Sequence, residues 1–169
     1  MVASGSEGAA RDVGGPVTTT ARAGHGYGPA VRIDRTPGDP MSRETATIQI
    51  AKPADEVWAL VGEFGGLDTW MSGVDACVVD GDVRTVSTMG MEITERLVGR
   101  DADARTITYS IFGEGAPVAE HEATISVVDG GDGTSTVNWD VSVSPAEATP
   151  MFRDIYQGAL DALRKHLEG

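Results

Sequence analysis

Apolar positions in this chain follow two different periods, and the change between them divides it. Phe152, Ile155, Tyr156, Ala159, Leu160, Leu163 and Leu167 recur at the three- and four-residue steps of an α-helix. Arg153, Asp154, Asp161, Arg164, Lys165 and Glu168 take the opposite side. The spacing predicts one long amphipathic helix within residues 145–169, and a helix of that kind needs a large surface to lie against. Upstream, the period is mostly two. Thr45 to Ala51 alternates with Ala46, Ile48 and Ile50 on one side, the pattern of a half-buried strand. Pro53, followed by Asp55 and Glu56, opens a short helix whose apolar side is Val57, Trp58, Leu60 and Val61. Gly62, Gly65 and Gly66 end it, and a second short helix is read over Leu67 to Met71.

Only strands follow until the final helix. They are read as Val74–Val79, Val83–Thr88, Met91–Val98, Arg105–Phe112, Val118–Val128 and Thr134–Ser144, punctuated by glycine-bearing turns such as Asp80-Gly81. Short turns between consecutive strands predict an antiparallel meander, and the first strand brings the total to seven. Alternation also assigns faces. Ile93, Glu95 and Leu97 share one; so do Ile107, Tyr109 and Ile111; so do Ala119, His121, Ala123, Ile125 and Val127; so do Val137, Trp139, Val141 and Val143. Glu95 and His121 therefore stand on otherwise apolar faces that look toward the helix.

Residues 1–43 have neither period and consist mainly of Gly, Ala, Ser, Thr, Pro and Arg. A segment of that composition buries too little surface to offset its ordering entropy, so it is read as a disordered tail ahead of a folded domain at residues 44–169. Met41 is an alternative translation start, and the opening residues lack the basic start and apolar core of a secretory signal. Charge is distributed unevenly. The tail holds five basic and four acidic residues, leaving the domain near −14 of the total −13. An acidic domain disfavours nucleic acid and anionic membranes as partners. No apolar run approaches the roughly 20 residues of a membrane span. The single cysteine, Cys77, can form no intrachain disulfide, which points to a cytoplasmic location. With three histidines and one cysteine no zinc spacing exists, no phosphate-cradling loop precedes a helix, and no cofactor or metal site is expected.

The order strand, two short helices, six strands, long helix resembles the helix-grip fold of the START and polyketide-cyclase superfamily (SRPBCC). The resemblance covers about residues 44–169 and is carried by Ile50-Ala-Lys-Pro-Ala-Asp-Glu-Val-Trp58, Leu67-Asp-Thr-Trp70, Gly81-Asp-Val-Arg84, Thr94-Glu-Arg-Leu97 and Tyr109. It implies an α+β domain in which a curved seven-stranded antiparallel sheet wraps the C-terminal helix around a cavity for a hydrophobic ligand. Asp82-Val-Arg84 and Thr94-Glu-Arg-Leu97 look like the corresponding stretches of the plant abscisic acid receptors. By position, that likeness implies a lining of Arg84, Val86, Ile93, Glu95, Tyr109, Ile111, Val118 and His121, with Phe152, Tyr156 and Leu160 from the helix. Trp70 falls at the cavity mouth by the same analogy, near Met71, Met89 and Met91, and Trp139 joins the candidate ligand contacts. The likeness to the receptors stops there: Met71 stands where they carry a carboxylate-binding lysine, and Gly115-Ala-Pro-Val118 replaces their latch.

Within such a cavity, Glu95 and Arg84 admit three readings: a buried ion pair that fixes the sheet, a carboxylate accepting a ligand hydroxyl, or a general base. His121, with an ordinary pKa near 6.5, is a candidate proton carrier, and Tyr109 is a candidate donor beside it. The expected function is binding of a small hydrophobic molecule such as a polyketide, lipid or aromatic metabolite. The alternatives are a cyclase, aromatase or dehydratase using Glu95, Tyr109 and His121, and an interaction module whose cavity is vestigial. Assembly is left at monomer or homodimer.

Overall fold

Residues 41–169 are described by a computed structural model, and the tail read over residues 1–40 lies outside them. Strand β1 spans Ser42–Ile50, so Ser42 and Arg43, assigned above to the tail, are its first rungs, facing Val143 and Ser142. Helices α1 (Ala54–Val61) and α2 (Leu67–Trp70) follow. Then come β2 (Val74–Asp80), β3 (Val83–Thr88), β4 (Met91–Asp101), β5 (Thr106–Ile111), β6 (Glu120–Asp129) and β7 (Ser135–Ser144). After a short 3₁₀ turn at Ala146–Ala148, helix α3 runs over Thr149–Glu168.

All seven strands form one antiparallel sheet in the order β1-β7-β6-β5-β4-β3-β2. The meander predicted from the turns is therefore correct, and β1 joins it beside the last strand rather than beside β2. That pairing follows from α1 and α2, which carry the chain from one edge of the sheet to the other. Helix α3 packs on β1 and β7 and covers the concave face. Its first turns carry Phe152 and Tyr156 into the fold, and Leu160 and Leu163 are fully buried further along.

Two departures from the predicted pattern have local causes. β4 runs past Gly99 to Asp101 because a bulge between Leu97 and Gly99 lets it turn and keep pairing with β5. β6 begins at Glu120, not Val118, because the chain bends through residues 117–119. Ala119, placed above among the inward residues, is exposed, and its N–H caps the Ser144 carbonyl at 2.9 Å. Ile155 also leaves the buried stripe of α3, with 48% of its surface exposed. Position 62, just after α1, has room only for glycine: a Cβ there would stand 2.7 Å from the Trp58 ring. Arg100 then clamps this corner, donating from Nε to the Gly62 carbonyl at 2.7 Å.

Candidate ligand cavity

Between α2, the β3–β4 hairpin, β5 and the first half of α3 lies a cavity of about 200 Å³. Its walls are apolar. Val86 and Ile93 are cross-strand partners on β3 and β4, and Ile111 pairs with Glu95 across β4 and β5. Tyr109, Trp139, Phe152 and Tyr156 supply aromatic surface, and Met71 closes one side. Alternation explains this lining, because residues two apart on curved strands converge on the concave face.

Other residues singled out from the sequence are close by but do not line the cavity. Arg84 is buried with its guanidinium turned away: Nε donates to Glu95 Oε2 at 2.5 Å and Nη1 to the Phe64 carbonyl at 2.7 Å. Its charge lies between two rings, 4.4 Å from the centroid of Phe64 and 4.8 Å from that of Tyr109. Trp70 is not at the mouth. It is buried behind Trp139, with ring centroids 6.4 Å apart. Val118 and Leu160 are core residues. His121 is not in the lining either, and it reaches the cavity wall through its hydrogen bond with Tyr156.

The cavity has residues that were not assigned to it. Leu67 and Val74 reach it from α2 and the start of β2, Thr88 from the end of β3, and Ile155 from the edge of the helical stripe. Thr88 is two residues on from Val86, so alternation could have found it. Nothing in the sequence indicates that Leu67 and Val74 fold over this end of the sheet. Met89 and Met91, expected near the entrance, are lining residues as well as exposed ones. Met89 holds a φ of 52° at the hairpin tip, where its neighbour Gly90 has 75°. Two successive positive φ values give the twist a two-residue hairpin needs.

Hydrogen bonds tie the aromatic wall together. The backbone N–H of Ile111 donates to His121 Nδ1 at 3.2 Å, and His121 Nε2 lies 2.8 Å from the Tyr156 hydroxyl. Trp139 donates from Nε1 to the Tyr109 hydroxyl at 3.1 Å, and its indole is stacked on the Tyr156 ring at 4.3 Å. Burial sets the protonation states. It pushes the Glu95 carboxyl up, an effect that Arg84 opposes, and it raises both the Tyr109 and Tyr156 hydroxyls, keeping them neutral. It lowers His121 from 6.5 to about 4, so the imidazole is uncharged near neutrality. Glu95, 7% exposed, is thus the sole lining residue with a carboxylate, and no lining residue is a cation.

Residues 41–168 fit the family described as polyketide cyclase / dehydrase and lipid transport. The chain belongs to this family. No curated protein matches the chain. Among solved structures, the protein XoxI from Bacillus cereus is 30% identical with a TM-score of 0.71, over 75% of this chain and 96% of that one. An uncharacterised protein from Bacillus thuringiensis is 29% identical with a TM-score of 0.71, over 76% of this chain and all of its own. Truncated norcoclaurine synthase from Thalictrum flavum, 16% identical with a TM-score of 0.65, covers 79% of this chain and 97% of its own and shares the fold. This member of the polyketide cyclase / dehydrase family therefore has the helix-grip architecture, a curved seven-stranded antiparallel sheet around a long C-terminal helix. Among the described residues, no helix is long and apolar enough to cross a membrane.

Proposed function

We propose that this chain binds one small, neutral, hydrophobic molecule in the cavity between β3–β5 and α3, in the cytoplasm. The observation that carries the proposal is the lining: four aromatic rings and aliphatic side chains around a single carboxylate. An interior filled by side chains would favour the vestigial reading, but about 200 Å³ is left open here. That volume is below the roughly 300–1,000 Å³ of drug-sized sites, which suits a molecule of one or two rings better than a long acyl chain. Native mass spectrometry of the protein purified from its own host tests this, alongside Ile111→Phe, which fills the space. A retained small hydrophobic ligand that Ile111→Phe excludes is the expected result. The proposal fails if the wild-type protein retains none and takes up no neutral bicyclic compound.

A cyclase or dehydratase reading is favoured by one feature, the raised carboxyl of Glu95 on the cavity wall. A base poised above the ordinary carboxylate range removes a proton α to a carbonyl more readily. Tyr109 would then polarise the ligand, and His121 would act only through Tyr156, since both its ring nitrogens are engaged. Glu95→Gln should abolish turnover and keep binding; unchanged turnover of an identified substrate would dismiss the enzymatic role.

A further inference from the structure

Four N–H and O–H hydrogens meet beside the cavity, and the two tyrosine oxygens are the acceptors among them. Because the Ile111 N–H donates to His121 Nδ1, that nitrogen carries no hydrogen, and the neutral imidazole keeps its own on Nε2. Nε2–H therefore donates to the Tyr156 oxygen, 2.8 Å away. The indole N–H of Trp139 is a donor only, and it is directed at the Tyr109 oxygen. The two tyrosine hydroxyls interact with each other, and a bond between them is the most that they can share. One such bond consumes one of their two hydrogens. The His121, Trp139 and tyrosine–tyrosine bonds thus use three of the four hydrogens, whichever way the last one points. One tyrosine O–H is left over, and among the described residues nothing accepts it. Both Tyr109 and Tyr156 line the cavity.

Glu95 provides the complementary group. Its Oε2 is committed to Arg84 Nε, and the side chain still borders the cavity. Protonated or not, a carboxyl keeps acceptor capacity. Arg84, the nearest cation, is covered by the rings of Phe64 and Tyr109 and is not part of the wall. An anionic ligand would therefore meet a carboxylate without meeting a cation.

We infer, building on the binding role proposed above, that the cavity selects a neutral aromatic hydroxy-carbonyl compound and rejects carboxylates. The ligand carbonyl takes the spare hydrogen of the Tyr109–Tyr156 pair, and its hydroxyl donates to Glu95. His121 is a positioning residue in this scheme. Its fixed tautomer feeds a hydrogen into Tyr156 and so forces the tyrosine pair to donate outward.

The test uses bicyclic probes of nearly equal size: indane, indanone with an isotope-labelled carbonyl, and indane carboxylate. The infrared carbonyl stretch of bound indanone should fall below its frequency in cyclohexane, as accepting an O–H bond requires. A bound stretch equal to that in cyclohexane overturns the inference. The carboxylate should bind about tenfold or more weakly than indanone, since its charge must be buried unpaired; equal affinity overturns the ligand class. Nitrogen NMR of His121 should find Nδ1 bare and Nε2 protonated, and the opposite tautomer breaks the hydrogen count. If indane binds while the carbonyl is unshifted, only this inference falls. If neither indane nor indanone binds, the cavity reading falls and takes the inference with it.

Discussion

Acidification should unfold this protein through His121, and the size of the effect can be worked from its surroundings. The imidazole is 4% exposed, accepts a hydrogen bond from Ile111 N–H, and is held at about 4 against 6.5 when free. A depressed folded-state pKa means that the unfolded chain takes up the proton first. Stability tied to this group is therefore complete above pH 6.5 and is lost as pH falls from there toward 4. Between about pH 7 and pH 5, proton uptake by the unfolded state costs about 2 kcal/mol, at about 1.4 kcal/mol per pKa unit. Glu95 works in the other direction, since a raised carboxyl gains a proton in the folded state as pH falls. It is present in both proteins of a matched comparison and cancels. The assay is urea unfolding of wild type and His121→Gln at the two pH values. Wild-type stability should drop by about 2 kcal/mol more than that of the variant over this interval. Equal slopes for the two proteins would refute the claim that this histidine is buried uncharged.

Arg84→Met leaves Glu95 as a buried carboxylate without its partner and should cost about 3–5 kcal/mol; pairing it with Glu95→Leu should recover a good part, seen in the same urea assay. Tyr156→Phe takes away the acceptor of His121 Nε2–H, so a loss of about 1–3 kcal/mol is expected in thermal or urea unfolding. Met89, 84% exposed at a φ of 52°, is a side chain in a conformation that suits Asn better. Met89→Asn should raise stability by about 1 kcal/mol, read as an increase in Tm; an unchanged or lower Tm would show that its backbone is not strained.

Much of the architecture could be read from periodicity and turns. The helical stripe from Phe152 to Leu163, the alternation around Tyr109 and Trp139, and the glycine-bearing turns that separate the strands are local features. Steric and hydrophobic rules act on them over a few residues. Face assignment was correct for Glu95 and His121, both of which are buried on the concave side. Alternation specifies a face, however, and carries no distance across the interior. It could not separate Val86 and Ile111, which border the cavity, from Val118 and Leu160, which fill the core. Nor could it show that α2 brings Leu67 over the pocket.

The chemistry depended even more on tertiary structure. Arg84 and Glu95 are adjacent rungs of β3 and β4, so their pairing was within reach of the register. The rings that enclose the guanidinium come from Phe64, in the segment between α1 and α2, and Tyr109, on β5. His121 and Tyr156 are 35 positions apart, and Tyr109 and Trp139 are 30 apart. What turns His121 from a candidate proton carrier into a neutral support is its burial, and the backbone N–H of Ile111, which no side-chain pattern encodes, then fixes its tautomer. The sequence by itself determined the order of the elements and most of the inward positions, Ala119 and Ile155 excepted, because those follow from local periods. Only the folded structure decided which inward groups meet, which way their hydrogens point, and which one is left to face the cavity. Those outcomes depend on close contacts between segments far apart in the chain.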